Sequence, residues 1–310
     1  DLCGYLPENP ELSKRKFIDP ACGSGAFVTA ALSRLLRHFE TGNPGYNSIG
    51  DGKLSEWKRA EAVLRVVEKN LHAIDIHPFA AFLTTINVMF LLLPAYVQAR
   101  RKNPGFSLEL RIFSADSLEK PDAEVFMGDL FEKLNSRIQL SAGAMEKYRK
   151  IIGERFDYVF GNPPWGGVLK GPLAPVFDEV KKKRFRREYP AAATGKYDIY
   201  GLFMERGLQI LKPGGCLGLL TQDTYLDKEW ASSLRKKLTT DATVRMVIDL
   251  NPFGHLFFRA MNTPAITILD NEPPLPEAAC LALLSRPEGE WKKVPPEKRR
   301  AHVIGVIRKA

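Results

Sequence analysis

Short apolar runs separated by stretches of helical period recur along the chain. KFIDPA (residues 16–21) is the first strand-like run, and apolar positions then repeat at helical spacing over residues 25–39. TGNPGYNSIGDGK reads as a loop, a charged amphipathic helix is predicted over residues 54–69, and LHAIDIH forms a second strand. The apolar stretch PFAAFLTTINVMFLLL that follows is 16 residues long, too short for a comfortable membrane span, and is predicted to be a buried helix. ELRIFSAD is a third strand, residues 117–153 are polar helix and loop, and FDYVFGN is a fourth strand. A helix over residues 197–211 stops at Lys-Pro-Gly-Gly, and GCLGLLTQ, VRMVIDL and AITILD supply the fifth to seventh strands. Strands alternating with helices predict an α/β fold with a mostly parallel seven-stranded sheet and helices on both faces. The loop over residues 251–264 has no crossover helix, so the last strand should be antiparallel. Residues 1–270 are expected to form one domain, and residues 271–310 a linker or the start of a following domain. The chain starts without Met, at Asp1, and is expected to be a piece of a longer polypeptide.

Charge adds one constraint. The net charge of +9 and pI near 9.3 suit an acidic partner such as nucleic acid. The four cysteines (Cys3, Cys22, Cys216 and Cys280) are scattered without a CxxC pair. They are expected as reduced thiols in a cytoplasmic protein, with neither a metal site nor a membrane partner.

Three strand ends carry candidate chemistry. The first strand runs into DPACGSGAF, whose small residues let the backbone turn tightly and approach a ligand. There is no GxxxxGK[ST], so this is not a phosphate loop, and the acidic Asp19 ahead of the glycines suits an ammonium group. The second strand ends at Asp75, where a carboxylate can accept both hydroxyls of a ribose or cap the helix starting at Pro78. The third ends at Asp116, with Asp129 of MGDL as a rival for the same role. At the end of the fourth strand stands NPPW, residues 162–165, expected beside the first turn. Prolines offer carbonyls without competing N–H groups in a rigid extended shape. An Asn162 side-chain oxygen and a Pro163 carbonyl could take both protons of an aromatic amine and localise its lone pair, with Trp165 stacked on the ring.

Together with TGKYDIYGLFMERGLQILKPGGCLGLLT, these motifs resemble the S-adenosylmethionine-dependent N6-adenine DNA methyltransferases of restriction–modification and phage-defence systems, in which a Gly-rich motif precedes NPP[YFW]. The resemblance covers residues 16–270 and implies a Rossmann-like class I methyltransferase fold with duplex DNA as substrate. It implies that Asp19, Ala21, Cys22, Gly23 and Gly25 hold the methionine part of S-adenosylmethionine. Asp75 would bind the ribose, Ile76 would pack on the cofactor's adenine, and Asp116 would accept from its amino group. Asn162 and Pro163 would orient the target amine, Pro164 would shape the loop, and Trp165 would stack on the flipped base. A second aromatic on the opposite face would be Phe257, with Phe258 the alternative.

The chain departs from that pattern in three places. Trp stands where Tyr or Phe is commoner, residues 1–15 carry no recognisable upstream cofactor motif, and the tail is too short for a target-recognition domain. A recognition domain elsewhere in the parent chain, and restriction or defence subunits, are therefore the expected partners. KKKRFRREY adds Lys181, Lys182, Lys183, Arg184, Arg186 and Arg187 as candidate DNA-backbone contacts, against the alternative of a solvated helix face. NPPW is also similar to motifs of RNA and protein-glutamine methyltransferases. A non-catalytic module sensing cofactor or DNA in a defence complex is the remaining alternative.

Overall fold

The computed structural model describes residues 12–40, 55–119, 150–151, 153–167, 177–250, 263–277, 280–283, 295 and 298. The chain divides into two compact units, residues 1–157 and 158–310. The boundary falls inside one strand.

In the first unit, β1 (Phe17–Asp19), β2 (Leu71–Asp75) and β3 (Arg111–Ser114) lie side by side in the order β3-β2-β1, all parallel. β1 is buried throughout and β2 over its first four residues, as strands covered on both faces must be. Register sets Asp19 against Ala73 and Asp75 against Ser114, so the carboxyl ends of the three strands share one edge. At the opposite end of β1, Asp157 ties the start of β4 (Phe156–Gly161) to this sheet. Its N–H donates to the Lys16 carbonyl at 2.9 Å, and its carboxylate takes the Lys16 N–H at 2.8 Å and Arg15 at 2.9 Å.

Three helices cover these strands. α1 (Ala26–Glu40) buries Val28, Ala31, Leu32 and Leu35 on one face, and α2 (Glu56–Asn70) buries Ala60, Leu64 and Val67 at the same helical spacing. α3 (Pro78–Lys102) starts with Pro at its first position, where a missing N–H costs nothing. The expectation of a buried helix here is corrected by the structure. Ala81, Thr84, Val88, Leu92 and Ala99 are buried, but on the outer face Phe79, Phe82 and Phe90 are 60%, 57% and 70% exposed. Hydropathy reports how apolar a helix is, not which of its faces is covered. Among the described residues, α3 is the one helix long and apolar enough to cross a membrane by length and composition.

In the second unit, the rest of β4 is followed by β5 (Leu211–Gln222), and the order continues β5-β7-β6-β8 with β6 (Thr243–Asp249), β7 (Pro264–Asp270) and β8 (Leu281–Leu283). β7 is antiparallel to both β5 and β6, as the missing crossover helix predicted. β8 is an eighth strand, parallel to β6, and it lies in the segment expected to be linker. LALL is too short and too close to Pro-rich surroundings to read as a strand without its partner. α4 (Glu179–Glu188), α5 (Ile199–Ile210) and α6 (Ser232–Thr240) complete the unit. All of α5 except Gln209 is buried, the charged Glu205 and Arg206 included, and Glu205 accepts the Ala191 and Ala192 N–H groups at 3.1 and 2.8 Å.

Candidate active site

The DPACGSG turn is built by three neighbouring segments of the first unit. Cys22 N–H bonds the Ile74 carbonyl at 2.9 Å, and Gly25 N–H bonds the Cys22 carbonyl at 2.8 Å. From α3, the Thr84 hydroxyl donates to the Gly23 carbonyl at 2.9 Å and the Asn87 amide to the Ser24 carbonyl at 2.8 Å. Gly25 has φ +88°, and a Cβ there would sit 2.9 Å from two Thr84 side-chain atoms, so both conformation and space demand glycine. At Gly23, φ is +55° and a Cβ would meet nothing within 4 Å. That side of the turn is open.

Asp19 is 1% exposed. Its Oδ1 accepts the Ala21 N–H at 3.0 Å, while Oδ2 is buried without a hydrogen-bond partner among the described residues. Burial drives its pKa up to about 8, the Ala21 N–H opposes this, and the Asp75 charge adds to it. A buried acceptor lacking a donor is the environment that an incoming ammonium would complete.

Asp75 accepts the Gly23 N–H on Oδ2 and the His77 N–H on Oδ1, each at 2.8 Å. The carboxylate therefore clamps the turn and, two residues on, fixes His77, the N-cap residue of α3. Two of its roughly four lone-pair sites remain for ribose hydroxyls. Ile76 beside it is 45% exposed, an apolar surface at the strand end.

Asp116 joins the same edge. The Ala115 N–H bonds the Asp75 carbonyl at 2.9 Å, and the Ser117 hydroxyl bonds the Pro20 carbonyl at 2.6 Å. The Asp116 carboxylate accepts the Leu118 N–H at 3.1 Å. Cys22 serves the turn itself: its thiol lies 3.4 Å from the Thr84 hydroxyl oxygen, and burial pushes its pKa to about 12. What Cys22 offers a ligand is shape, not a donor. The first unit thus brings Asp19, Ala21, Cys22, Gly23, Gly25, Asp75, Ile76 and Asp116 to one edge, where a buried carboxylate oxygen, an open turn and an exposed apolar side chain could hold a cofactor that carries an ammonium group. Thr84 and Asn87 were not among the residues the sequence singled out, although polar positions within an otherwise apolar helix were a usable signal.

The NPPW segment belongs to the second unit. β4 is buried along its whole length, and Asn162 is the first exposed residue after it. Pro163 is buried, Pro164 exposed and Trp165 half-buried. Beyond the tryptophan, Gly167 bridges to Asp198 in antiparallel fashion, and the Ile199 N–H bonds the Gly166 carbonyl at 3.0 Å. The segment is thus anchored by β4 at one end and by the start of α5 at the other.

The basic run folds as α4. Asp178 caps it through the Lys181 N–H at 2.7 Å, and Phe185 and Tyr189 anchor it in the core. Lys182 pairs with Glu179 at 2.9 Å and Arg187 with Glu188 at 3.1 Å. Lys183, Arg186 and Arg187 are exposed, whereas Lys181, Lys182 and Arg184 are half-buried. Phe257, Phe258 and Asp129 lie outside the described residues.

The Eco57I restriction-modification methylase family matches residues 69–255, more than half of the chain and including NPPW. The chain belongs to the Eco57I restriction-modification methylase family. Among similar proteins, the adenine-specific methyltransferase PglX of Streptomyces coelicolor is 25% identical over 235 residues, which is 71% of this chain and 18% of that protein. The type II methyltransferase M.PaeR7I of Pseudomonas aeruginosa is 24% identical over 272 residues, 88% of this chain and 38% of its own. The chain therefore spans between 18% and 38% of the length of these two relatives. Among solved structures, the DNA-bound type ISP restriction–modification enzyme LlaBIII matches with a TM-score of 0.58 at 16% identity, covering 83% of this chain and 16% of that one. The type ISP enzyme LlaGI, in complex with a DNA substrate mimic, matches with a TM-score of 0.56 at 18% identity, covering 83% and 20%. The fold of this Eco57I-family chain is the Rossmann-like class I methyltransferase fold, with eight strands among the described residues.

Proposed function

We propose that this chain is the methyl-transfer part of a restriction–modification or defence enzyme, acting on N6 of adenine in duplex DNA with S-adenosylmethionine as cofactor. The observation that carries the reading is the exposed Asn162 at the end of buried β4, followed by two prolines and an aromatic. Family membership supports the methylase assignment, and relatives named adenine-specific or type II methyltransferases support adenine and DNA.

The roles follow from the chemistry of each group. Asp19 would hold the cofactor's ammonium, the open side of Gly23 its backbone-like part, Asp75 the ribose hydroxyls, Ile76 the adenine ring and Asp116 the adenine amino group. When bound, S-adenosylmethionine supplies an electrophilic methyl group. The target base must leave the duplex at a cost of a few kcal/mol. Trp165 would recover part of that by stacking, an interaction of about 1–3 kcal/mol per base. The Asn162 side-chain oxygen and the Pro163 carbonyl would accept the two amine protons and localise the nitrogen lone pair, which ring conjugation otherwise withdraws. Lys183, Arg186 and Arg187 on α4 would lie against phosphates.

The test is a transfer assay on the intact polypeptide with labelled S-adenosylmethionine and duplex DNA, single-stranded DNA, RNA or protein extract. N6-methyladenine from DNA, abolished in Asn162→Ala, is the expected result. Product from RNA or from a glutamine amide would replace the substrate assignment. Cofactor binding without any product would favour a sensing module.

A further inference from the structure

We propose that Thr84 and Asn87 of α3 are positioning residues that aim the DPACGSG turn at the amino-acid end of the cofactor. The inference rests on the reading of this turn as the holder of that end. The two side chains lie three residues apart on one face of the helix, and each reaches a carbonyl of the turn. The Thr84 hydroxyl donates to Gly23 at 2.9 Å, and the Asn87 amide donates to Ser24 at 2.8 Å. Neither bond serves the helix itself. The neighbouring Thr85 shows the ordinary use of such a hydroxyl, donating to the Ala81 carbonyl of its own helix at 2.9 Å. Thr84, wholly buried, instead reaches outside its helix to the turn.

What these bonds do follows from peptide geometry. Among the described residues no peptide bond is cis, so the carbonyl and N–H of each peptide group point in opposite directions. Holding the Gly23 carbonyl towards α3 therefore turns the N–H of Ser24, an exposed residue, away from the helix. Asn87 draws the next carbonyl to α3 in the same way. The amino-acid end of S-adenosylmethionine carries a carboxylate, which can only accept hydrogen bonds. Carbonyl oxygens facing it would repel it, and N–H groups would hold it. By taking two carbonyls to itself, α3 gives the turn the polarity that a carboxylate requires. Gly25 makes this possible, because a Cβ there would collide with Thr84 and push the helix off the turn.

The experiment measures, by calorimetry on the intact polypeptide, the binding of two ligands that differ only in the part concerned. S-adenosylhomocysteine carries the amino-acid end, and 5′-methylthioadenosine lacks it. Thr84→Val keeps the shape of the side chain and removes its donor, whereas Thr84→Ser keeps the donor. Thr84→Val is expected to bind S-adenosylhomocysteine about tenfold more weakly, with 5′-methylthioadenosine held to within about twofold of the parent. Thr84→Ser should return the first ligand to within about threefold. Asn87→Ala, at an exposed position where water can replace the amide, should lose about threefold for S-adenosylhomocysteine alone, with the melting temperature of the ligand-free protein unchanged. That variant tests the proposal even if Thr84→Val fails to fold. Residues that only support the fold would weaken both ligands alike and lower the melting temperature, which overturns the proposal, as does unchanged binding of S-adenosylhomocysteine. A parent polypeptide that binds neither ligand would overturn the cofactor reading itself, and the proposal with it.

Discussion

The DPACGSG turn and the NPPW segment solve opposite problems. The turn is braced by several hydrogen bonds: Asp75 holds the Gly23 and His77 amides, and Thr84 and Asn87 hold the carbonyls of Gly23 and Ser24. Among the described residues, Asp19 Oδ2 is buried and has no partner. The NPPW segment is held from its ends, by β4 before it and by Asp198–Ile199 after it, and its two prolines have no N–H to offer. A binding surface is made rigid by internal hydrogen bonds with one acceptor left over. On the proposed reading, a reacting segment gains from prolines because they bring no N–H to compete for its acceptors. The contrast predicts that substitutions in the first region change affinity and those in the second change turnover.

The largest effect expected in the turn is that of Asp75→Ala. Loss of a charged acceptor is worth about 1.5–3 kcal/mol, or roughly 10–150-fold in cofactor affinity. Calorimetry should show that loss, with kcat at saturating cofactor much less affected. Unchanged binding would mean that the carboxylate only clamps the turn and His77.

Next in size is the pH response of Asp19. Its folded pKa, about 8 against an ordinary value of 3.8, favours the protonated carboxyl. The stabilisation it gives the ligand-free chain is complete below the ordinary value and is lost as pH rises through about 8. Binding an ammonium requires the ionised form, so cofactor affinity should weaken by about tenfold per unit as pH falls from about 8 to 6. The Asp19→Asn variant should show a flat profile over that range. A flat profile in the parent chain would remove the ammonium from Asp19.

The smallest effect concerns α4. Alanine at Lys183, Arg186 and Arg187 should reduce the slope of log affinity for DNA against log salt by about 0.9 for each phosphate no longer neutralised, while cofactor binding stays the same. An unchanged slope would make α4 a solvated face.

The sequence was most legible where chemistry is local. DPACGSG and NPPW announce themselves because glycine at φ +88° and paired prolines have few other uses, and the strands they terminate were readable from apolar runs. The parts that stayed hidden depend on tertiary structure. The stretch at α3 was apolar enough to predict burial, yet Phe79, Phe82 and Phe90 face outward, whereas α5 is enclosed although it carries Glu205 and Arg206. Leu281–Leu283 becomes a strand only through pairing with β6. Thr84 and Asn87 sit 61 and 63 residues from the carbonyls they brace, beyond the reach of any periodicity. In KKKRFRREY the charges were plain, but Glu179 and Glu188 as partners, and Phe185 and Tyr189 as anchors, emerged only with the helix.

The most direct test of the division between binding and reaction places Asn162→Ala beside Asp75→Ala and measures cofactor dissociation constant and kcat for both. Asn162→Ala is predicted to keep cofactor affinity within about twofold while kcat falls by about 10²–10³, as when a positioned polar group at a reacting centre is removed. Asp75→Ala should show the reverse. An Asn162→Ala variant that binds cofactor poorly but turns over normally would contradict the role assigned to NPPW.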